Sequence, residues 1–164
     1  MTEEQFIRSY DEHADAIFRF CYFKTSHREQ SKDILQDTFM RAWEFIKQGG
    51  TVTNARAFLY KIANNLIIDW RRKKKSSSLD AMMDAGFDAA GDEHERIPEI
   101  ADSRRVIAAI GSLDEKYRDA LLLRYVDDLS VKEIADILGE TETAVGVHLH
   151  RGKEKLKLLH QGTK

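Results

Sequence analysis

Three stretches within the first 75 residues repeat apolar side chains every three or four positions, which is the spacing of one face of an α-helix. These stretches cover residues 6–21, 34–46 and 58–70. The only proline of the 164 residues is Pro98, so none of the stretches contains the residue that most strongly interrupts a helix. No strand-like alternation competes with this pattern. Residues 1–75 are therefore predicted to form a helical bundle.

Local signals predict where the helices of this bundle end and begin. Gly49 and Gly50 are expected to end the second helix. Residues 51–54 are expected to form a polar loop, and its last residue, Asn54, is expected to cap the third helix.

Residues 103–164 contain four further helical patterns. The first covers residues 104–110, and the second covers 115–126 after a cap at Asp114. Ser130 and Glu133 have the spacing of a capping box that starts the third helix, which Gly139 is predicted to end. Thr141 is predicted to cap the fourth. The inner face of that last helix is predicted to consist of Val145, Leu149, Gly152, Leu156 and Leu159.

Residues 76–102 differ in composition from both flanking regions. They carry one basic residue against eight acidic ones, and they include three consecutive serines, two glycines and Pro98. Such a composition is typical of a flexible acidic linker. The sequence thus predicts an all-α fold of two small helical domains, residues 1–75 and 103–164.

Several function classes find no support in the sequence. No nucleophile–base pair, phosphate-binding loop or dinucleotide fingerprint is present. His148 and His150 are two residues apart on a helix, so they point in different directions. We therefore expect no enzyme activity, catalytic residue, metal site, cofactor or small-molecule substrate.

Cysteine usage and hydropathy indicate the compartment. The single cysteine, Cys21, cannot form an internal disulfide, no apolar run approaches the ~20 residues that span a bilayer, and the N-terminal residues lack the apolar core of a signal peptide. The expected location is the cytoplasm.

The last two helical patterns match a helix-turn-helix, in which the second helix enters the major groove of DNA. Thr143, Val147, His150 and Arg151 point away from the inner face of that helix and are predicted to face DNA. Arg151 can contact phosphate or guanine, and Val147 can contact a thymine methyl group. The same pattern also fits an ordinary helical hairpin with a solvated basic end.

The third helix of the first domain ends in Trp70 and a basic block, Arg71–Lys75. An aromatic ring beside cations suits unpaired nucleic acid, because bases stack on the ring while phosphates pair with the cations. The alternative is that Trp70 completes the core and the block is a solvated helix end. Because the chain has a net charge of −2, it should bind free duplex poorly and should need a partner to hold it on DNA.

The second helix carries a polar side that includes Asp33, Gln36, Asp37 and Arg41, next to Trp43. From the pattern alone this side is either a partner surface or a solvated face.

In the order and spacing of its motifs the chain resembles the extracytoplasmic-function (ECF, group IV) sigma factors of bacterial RNA polymerase. The matching segments are DILQDTFMRAW at 33–43, RAFLYKIANNL at 56–66, DWRR at 69–72, ALLLRY at 120–125 and LSVKEIADILG at 129–139. The resemblance implies an alternative sigma factor that binds core RNA polymerase and directs promoter recognition and transcription initiation. The implied partners are the β and β′ subunits of core polymerase, promoter DNA and an anti-sigma factor.

The resemblance also implies three sets of site residues. Those for binding polymerase are Asp33, Gln36, Asp37, Arg41 and Trp43. Those for recognising and melting the minus-ten element are Asn54, Arg56, Lys61, Asn64, Asn65, Trp70, Arg71, Arg72, Lys73 and Lys74. Those for the minus-35 element are Ser130, Thr141, Thr143, Val147, His148, His150, Arg151 and Lys155. The loop at residues 47–54, with the helix after it, is expected to capture a flipped base.

Two departures from the family pattern are present. Asp114 stands where the family often has proline, and Gly146-Val147-His148 stand where it often has Lys-Ser-Arg. The second departure removes two cations, so no minus-35 sequence preference is carried over from the family.

Two other functions are alternatives to this one. A stand-alone helix-turn-helix regulator would bind DNA without polymerase and would leave segments 33–43 and 56–72 unexplained. An enzyme, such as a metal hydrolase on a helical bundle, would need a ligand cluster that the sequence does not show.

Overall fold

The computed structural model describes residues 2–76 and 101–162, and of residues 101–104 and 160–162 it describes the backbone only. The chain divides into two compact units, residues 1–89 and 90–164. The predicted linker, 76–102, lies outside the described residues except at its two ends. Every regular element in the described parts is helical, so the prediction of an all-α fold is confirmed.

The first unit consists of three helices, α1 (Glu3–Thr25), α2 (Arg28–Lys47) and α3 (Ala55–Ser76), each packed against the other two. A capping box between Thr2 and Gln5 starts α1. The predicted caps around the loop are confirmed, because Gly49 has a φ of +91° just after α2 and Asn54 Oδ1 accepts a hydrogen bond from Ala57 N at 3.0 Å.

Apolar side chains from all three helices fill the centre of this unit. Ile17, Cys21, Ala63 and Ile67 are fully buried, as the helical faces predicted. Burial raises the pKa of the Cys21 thiol to about 12, so the thiol stays protonated in this core. Ile7, placed on the same apolar face by its spacing, is instead exposed. It lies in the second turn of α1, ahead of the first buried residues of that helix.

A buried polar junction joins α1 to α3. Lys24 is only 6% exposed, and its Nζ donates a hydrogen bond to Asn64 Oδ1 at 2.7 Å. The backbone carbonyl of Lys24 accepts a hydrogen bond from Arg71 Nη2, also at 2.7 Å. A buried charge is stable only when it is hydrogen-bonded, so these contacts fix the second half of α3 against the end of α1.

The corner between α1 and α2 is tied by hydroxyl groups. Ser26 adopts the left-handed conformation, with a φ of 57°. Buried Thr25 and Ser31 lie 3.0 Å apart at their Oγ1 and Oγ atoms, and Ser31 Oγ donates to the carbonyl of His27 at 2.6 Å. His27, the residue just before α2, is thereby held in one position.

The second unit contains α4 (Ala101–Gly111), α5 (Glu115–Leu121), a π-helical segment (Leu122–Val126), α6 (Val131–Leu138) and α7 (Glu142–Gly162). The single helix predicted over 115–126 therefore changes type part-way.

A π-helical turn holds more residues than an α-turn, so consecutive side chains spread over a narrower arc. This geometry helps to bury the adjacent residues Leu121, Leu122 and Leu123 together. Arg124 Nη1, near the end of this segment, donates a hydrogen bond to the carbonyl of Leu129 at 2.9 Å.

Most predicted helix ends of this unit are confirmed. Ser130 and Glu133 form the capping box, Gly139 ends α6 with a φ of 67°, and Thr141 Oγ1 accepts from Ala144 N at 3.0 Å. Asp114 is a correction, because its side chain makes no cap hydrogen bond. Its backbone carbonyl begins α5 instead, accepting from Tyr117 N and Arg118 N.

Leu159 is a second correction, because it is 42% exposed rather than on an inner face. Among the described side chains of α7, burial ends at Gly152, and Leu158 is also exposed. The helix therefore continues beyond the packed part of the unit.

None of the helices in the described part of the chain combines the length and apolar composition needed to cross a membrane. Within the same residues, no group of three or more histidine, cysteine or acidic side chains is arranged to hold a metal ion.

Because of the polar junction, substitutions at the adjacent residues Asn64 and Asn65 should affect stability differently. Asn64→Ala removes the acceptor of the buried Lys24 ammonium and should lower the free energy of unfolding by about 1–3 kcal/mol. Asn65→Ala, on the exposed side of α3, should change it by less than about 0.5 kcal/mol. Denaturant unfolding of both variants is the measurement, and equal effects would contradict a structural role for Asn64.

Candidate nucleic-acid and protein interfaces

One face of α2 is exposed and mainly acidic. Asp33, Gln36, Asp37 and Arg41 are all exposed, as predicted for a partner surface. Met40 lies among them in the helical register and is 60% exposed, which the sequence analysis missed. Its spacing of four from Gln36 and three from Asp37 could have revealed it. The face therefore combines carboxylates with an apolar side chain suited to a protein partner.

Trp43 has a different setting from the exposed side chains of α2. It is half-buried, and its ring centroid lies 4.9 Å from that of Phe6 on α1. Phe6 also contacts Phe39, with ring centroids 6.0 Å apart. Trp43 thus borders the acidic face and anchors α2 to α1.

The loop between α2 and α3 contains both exposed and half-buried residues. Thr51, Thr53 and Asn54 are exposed, while Val52 is half-buried and lines a small apolar hollow with Phe58 and neighbouring residues of the core. The loop therefore carries three exposed polar residues within four positions. Asn54 Oδ1 also accepts the hydrogen bond that caps α3.

The predicted minus-ten residues of α3 separate into exposed and interior groups. Lys61 and Asn65 are exposed, and Arg56 is half-buried. Burial lowers the pKa of His13 on α1, Glu12 opposes this shift, and the charge of Arg56 adds to it. Arg56 therefore lies near α1 at the start of α3.

Asn64 is a correction to the predicted site. It is 3% exposed, and its side chain faces Lys24 in the interior rather than the surface. The helical pattern of α3 gave no sign of this, because the partner lies 40 residues away.

Trp70, near the end of α3, is half-buried and contacts the side chains of His27 and Lys74. The His27 ring meets it edge-on, with centroids 5.9 Å apart and an interplanar angle of 69°. Lys74 Nζ lies 5.0 Å from the ring centroid, within cation–π range. The sequence analysis did not predict the contact of His27 with Trp70, because no local pattern links residues 43 positions apart.

The five residues of the basic block, Arg71–Lys75, differ in what their side chains contact. Arg71 binds the Lys24 carbonyl, and Lys74 lies against Trp70. Arg72, Lys73 and Lys75 are exposed, and the nearest anion contact of Arg72 is a loose 3.9 Å pair with Asp69. Five consecutive cations therefore supply three that face solvent, one on an aromatic ring and one that holds the fold.

The helix-turn-helix is formed by α6, the turn at 139–141 and α7. The exposed side chains of α7 include Thr143, Val147, His150, Arg151 and Lys155, as predicted.

Lys155 Nζ also lies 5.5 Å from the Tyr117 ring centroid. Ser130 and Thr141, placed in the predicted minus-35 set, use their side-chain oxygens as helix caps.

His148 faces its own unit rather than the outer side of α7. Its Nδ1 lies 3.0 Å from Glu140 Oε2, and its ring meets Tyr117 edge-on at 5.9 Å between centroids. The contact fastens the start of α7 to the turn that precedes it.

Two glycines of α7 have opposite surroundings. Gly152 is buried, and a Cβ there would lie 2.8 Å from Leu121 Cδ1, closer than side chains pack. Gly146 is exposed, and a Cβ there would meet nothing within 4 Å. Close packing thus explains Gly152, and no contact with the described residues explains Gly146.

Comparisons with known proteins match both units. The family model described as sigma-70 region 2 matches residues 9–77, and the one described as sigma-70 region 4 matches residues 103–156.

The chain is 31% identical over 170 residues to the ECF RNA polymerase sigma factor SigW of Bacillus subtilis, covering 94% of this chain and 88% of SigW. It is 29% identical over 153 residues to the ECF RNA polymerase sigma factor SigL of Mycobacterium tuberculosis, covering 93% of this chain and 86% of SigL.

A solved structure shows the same fold. The sigma factor RpoE from Bartonella quintana, crystallised with the anti-sigma factor NepR, matches with a TM-score of 0.73 and 20% identity. The match covers 96% of this chain and 98% of that one.

The two glycines of α7 form a matched pair for a stability test. Gly146→Ala should raise the free energy of unfolding of the second unit by about 0.5–1 kcal/mol, because alanine favours the helix and meets no neighbour. Gly152→Ala should lower it, because the added methyl collides with Leu121. Thermal unfolding of both variants tests this, and a loss of stability in Gly146→Ala would refute it.

Proposed function

Because the chain belongs to the ECF RNA polymerase sigma factors, we propose that its first unit docks on core polymerase through α2 and opens promoter DNA with the loop and α3. The chain acts as an alternative sigma factor, directing promoter recognition and transcription initiation, and not as a stand-alone regulator. The observation that carries the proposal is the separation of charge on one small unit, with an acidic face on α2 and a basic end on α3. Within the sigma-70 family we assign it to group IV.

The docking surface is the exposed face of α2. Asp33, Gln36 and Asp37 supply carboxylates and an amide that suit a basic, hydrogen-bonding surface on the β and β′ subunits. Met40 adds apolar contact at the centre of the face, and Arg41 lies at its edge. Trp43 acts by holding α2 on α1.

The minus-ten element is read and opened by the loop and α3. Thr51, Thr53 and Asn54 face outward where a flipped base would be received, and Lys61 and Asn65 continue that surface along α3. Extruding a base costs a few kcal/mol, which contacts to polymerase and to the backbone help to offset.

The end of α3 holds the melted strand. The half-buried Trp70 offers an aromatic surface for an unpaired base, and the exposed cations beside it pair with phosphates. Arg71 contributes mainly by fixing the helix against α1.

The second unit places the exposed side of α7 in the major groove of the minus-35 element. Val147 contacts a thymine methyl group there, and Arg151 contacts guanine or phosphate. Thr143, His150 and Lys155 lie on the same exposed side.

The remaining assignments follow from the family. We assign residues 1–75 and 103–164 to the two functional domains, and residues 76–102 to an acidic linker. The chain works in the cytoplasm, where polymerase is, and has no enzymatic activity. A sigma factor of the same fold is held by an anti-sigma factor, and we propose a regulator of that kind for this chain.

Charge reversal on α2 should abolish polymerase binding. The double variant Asp33→Lys, Asp37→Lys places like charges against a basic partner surface, so co-purification with core polymerase should be lost while helical content stays unchanged. The matched control is Asp11→Lys, Asp15→Lys, another exposed aspartate pair four residues apart, on α1. Wild-type co-purification of the α2 variant would contradict the docking surface.

Neutralising the solvent-facing cations should separate docking from opening. With Arg72, Lys73 and Lys75 changed to glutamine, polymerase binding should persist, but promoter opening should fall and become more sensitive to salt. Permanganate reactivity of unpaired thymines measures opening. Unchanged reactivity across a salt series would mean that the block is only a solvated helix end.

A further inference from the structure

Phe45 occupies an unusual position for a large aromatic side chain. It lies near the end of α2 and is 42% exposed, yet its ring covers the loop that follows the helix. Its ring centroid is 5.0 Å from that of Phe58 on α3, with an interplanar angle of 41°. The ring therefore contacts both ends of the connection between α2 and α3.

Gly50 lies directly beneath that ring. A Cβ at this position would overlap ring atoms of Phe45, so the loop can approach only because residue 50 has no side chain. Its backbone nitrogen also donates to the carbonyl of Phe45 at 2.9 Å. Gly49 has no such neighbour and is explained by its φ of +91°. The two adjacent glycines thus serve different purposes.

We propose that Phe45 and Gly50 form a clamp that sets the position of the loop, and that they are positioning residues for minus-ten base selection through Thr51 and Thr53. The clamp rests on the proposed function, in which the loop receives a base. Neither clamp residue contacts DNA in this proposal. They act by fixing the segment whose exposed hydroxyls do.

The physical reason is that base discrimination needs fixed donors and acceptors. A loop free to move can present its hydroxyls to any base, and binding then has to supply the conformational entropy lost when the loop becomes ordered. Here the loop is ordered beforehand by three constraints. The Phe45 ring lies over Gly50, Val52 lines the apolar hollow, and Asn54 caps α3.

The test compares the full-length chain with variants in complex with core polymerase. Promoter opening is measured on templates that carry each of the four bases at every minus-ten position. Gly50→Ala pushes the ring off the loop and Phe45→Ala removes the ring, so each should reduce discrimination at the most selective position by roughly tenfold. The double variant should lose no more than the larger single effect, because both changes break one contact.

Two controls isolate the clamp from general damage. Phe18→Ala removes a half-buried phenylalanine elsewhere in the same unit, one that stacks on Tyr22 of its own helix at 6.2 Å, and it should leave base preference unchanged. Polymerase binding and helical content should be unchanged in all of these variants. A Phe45→Leu variant retains an apolar cover and should keep part of the discrimination.

Loop variants distinguish the clamp from the function on which it rests. If Thr51→Ala, Thr53→Ala changes base preference but neither clamp variant does, the clamp is wrong and the loop still reads DNA. If none of these variants changes base preference, both the clamp and base reading by the loop are wrong. If the effects of Gly50→Ala and Phe45→Ala multiply in the double variant, the two residues act separately and the clamp is wrong.

Discussion

Lys24 brings a positive charge into a helical unit where almost no solvent reaches it, and a charge in that position has to be hydrogen-bonded. Asn64 supplies one acceptor from α3, and the Lys24 carbonyl in turn accepts from Arg71. The contacts lie at both ends of a two-turn span of α3, so they fix the direction in which the helix leaves the core. Trp70 lies within this span, and the exposed cations follow it, so the positions of both depend on this junction.

In the rest of the first unit, too, a few contacts fix the positions of exposed residues. His27 is held by hydroxyl groups at the corner between α1 and α2 and meets the edge of Trp70, while Lys74 lies against the ring. At the other end of the unit, the Phe45 ring covers Gly50. The face of α2 that we propose for docking takes no part in these contacts. Under that proposal, one three-helix core holds a polymerase surface and a nucleic-acid surface on separate parts of its exterior.

Local signals in the sequence predicted the helices and most of their ends. Asn54, Ser130 and Thr141 cap where they were expected to, because a cap depends on neighbours three residues away. The buried role of Asn64 could not be predicted, since its partner is 40 residues distant and both residue types usually signal a surface. The π-helical segment could not be predicted, because a run of consecutive leucines does not distinguish an α-helix from a π-helix. Periodicity predicted a buried position for Leu159, which is exposed, because periodicity does not show where the packing partners of a helix end.

As an alternative sigma factor, this chain gives core RNA polymerase its choice of promoter. The most direct test is transcription by purified core polymerase from a library of genomic fragments, with and without the chain, followed by mapping of RNA 5′ ends. We expect a set of start sites that appears only when the chain is present and shares minus-ten and minus-35 elements at a constant spacing. This expectation would be contradicted if the chain added no start sites and instead bound specific duplexes without polymerase.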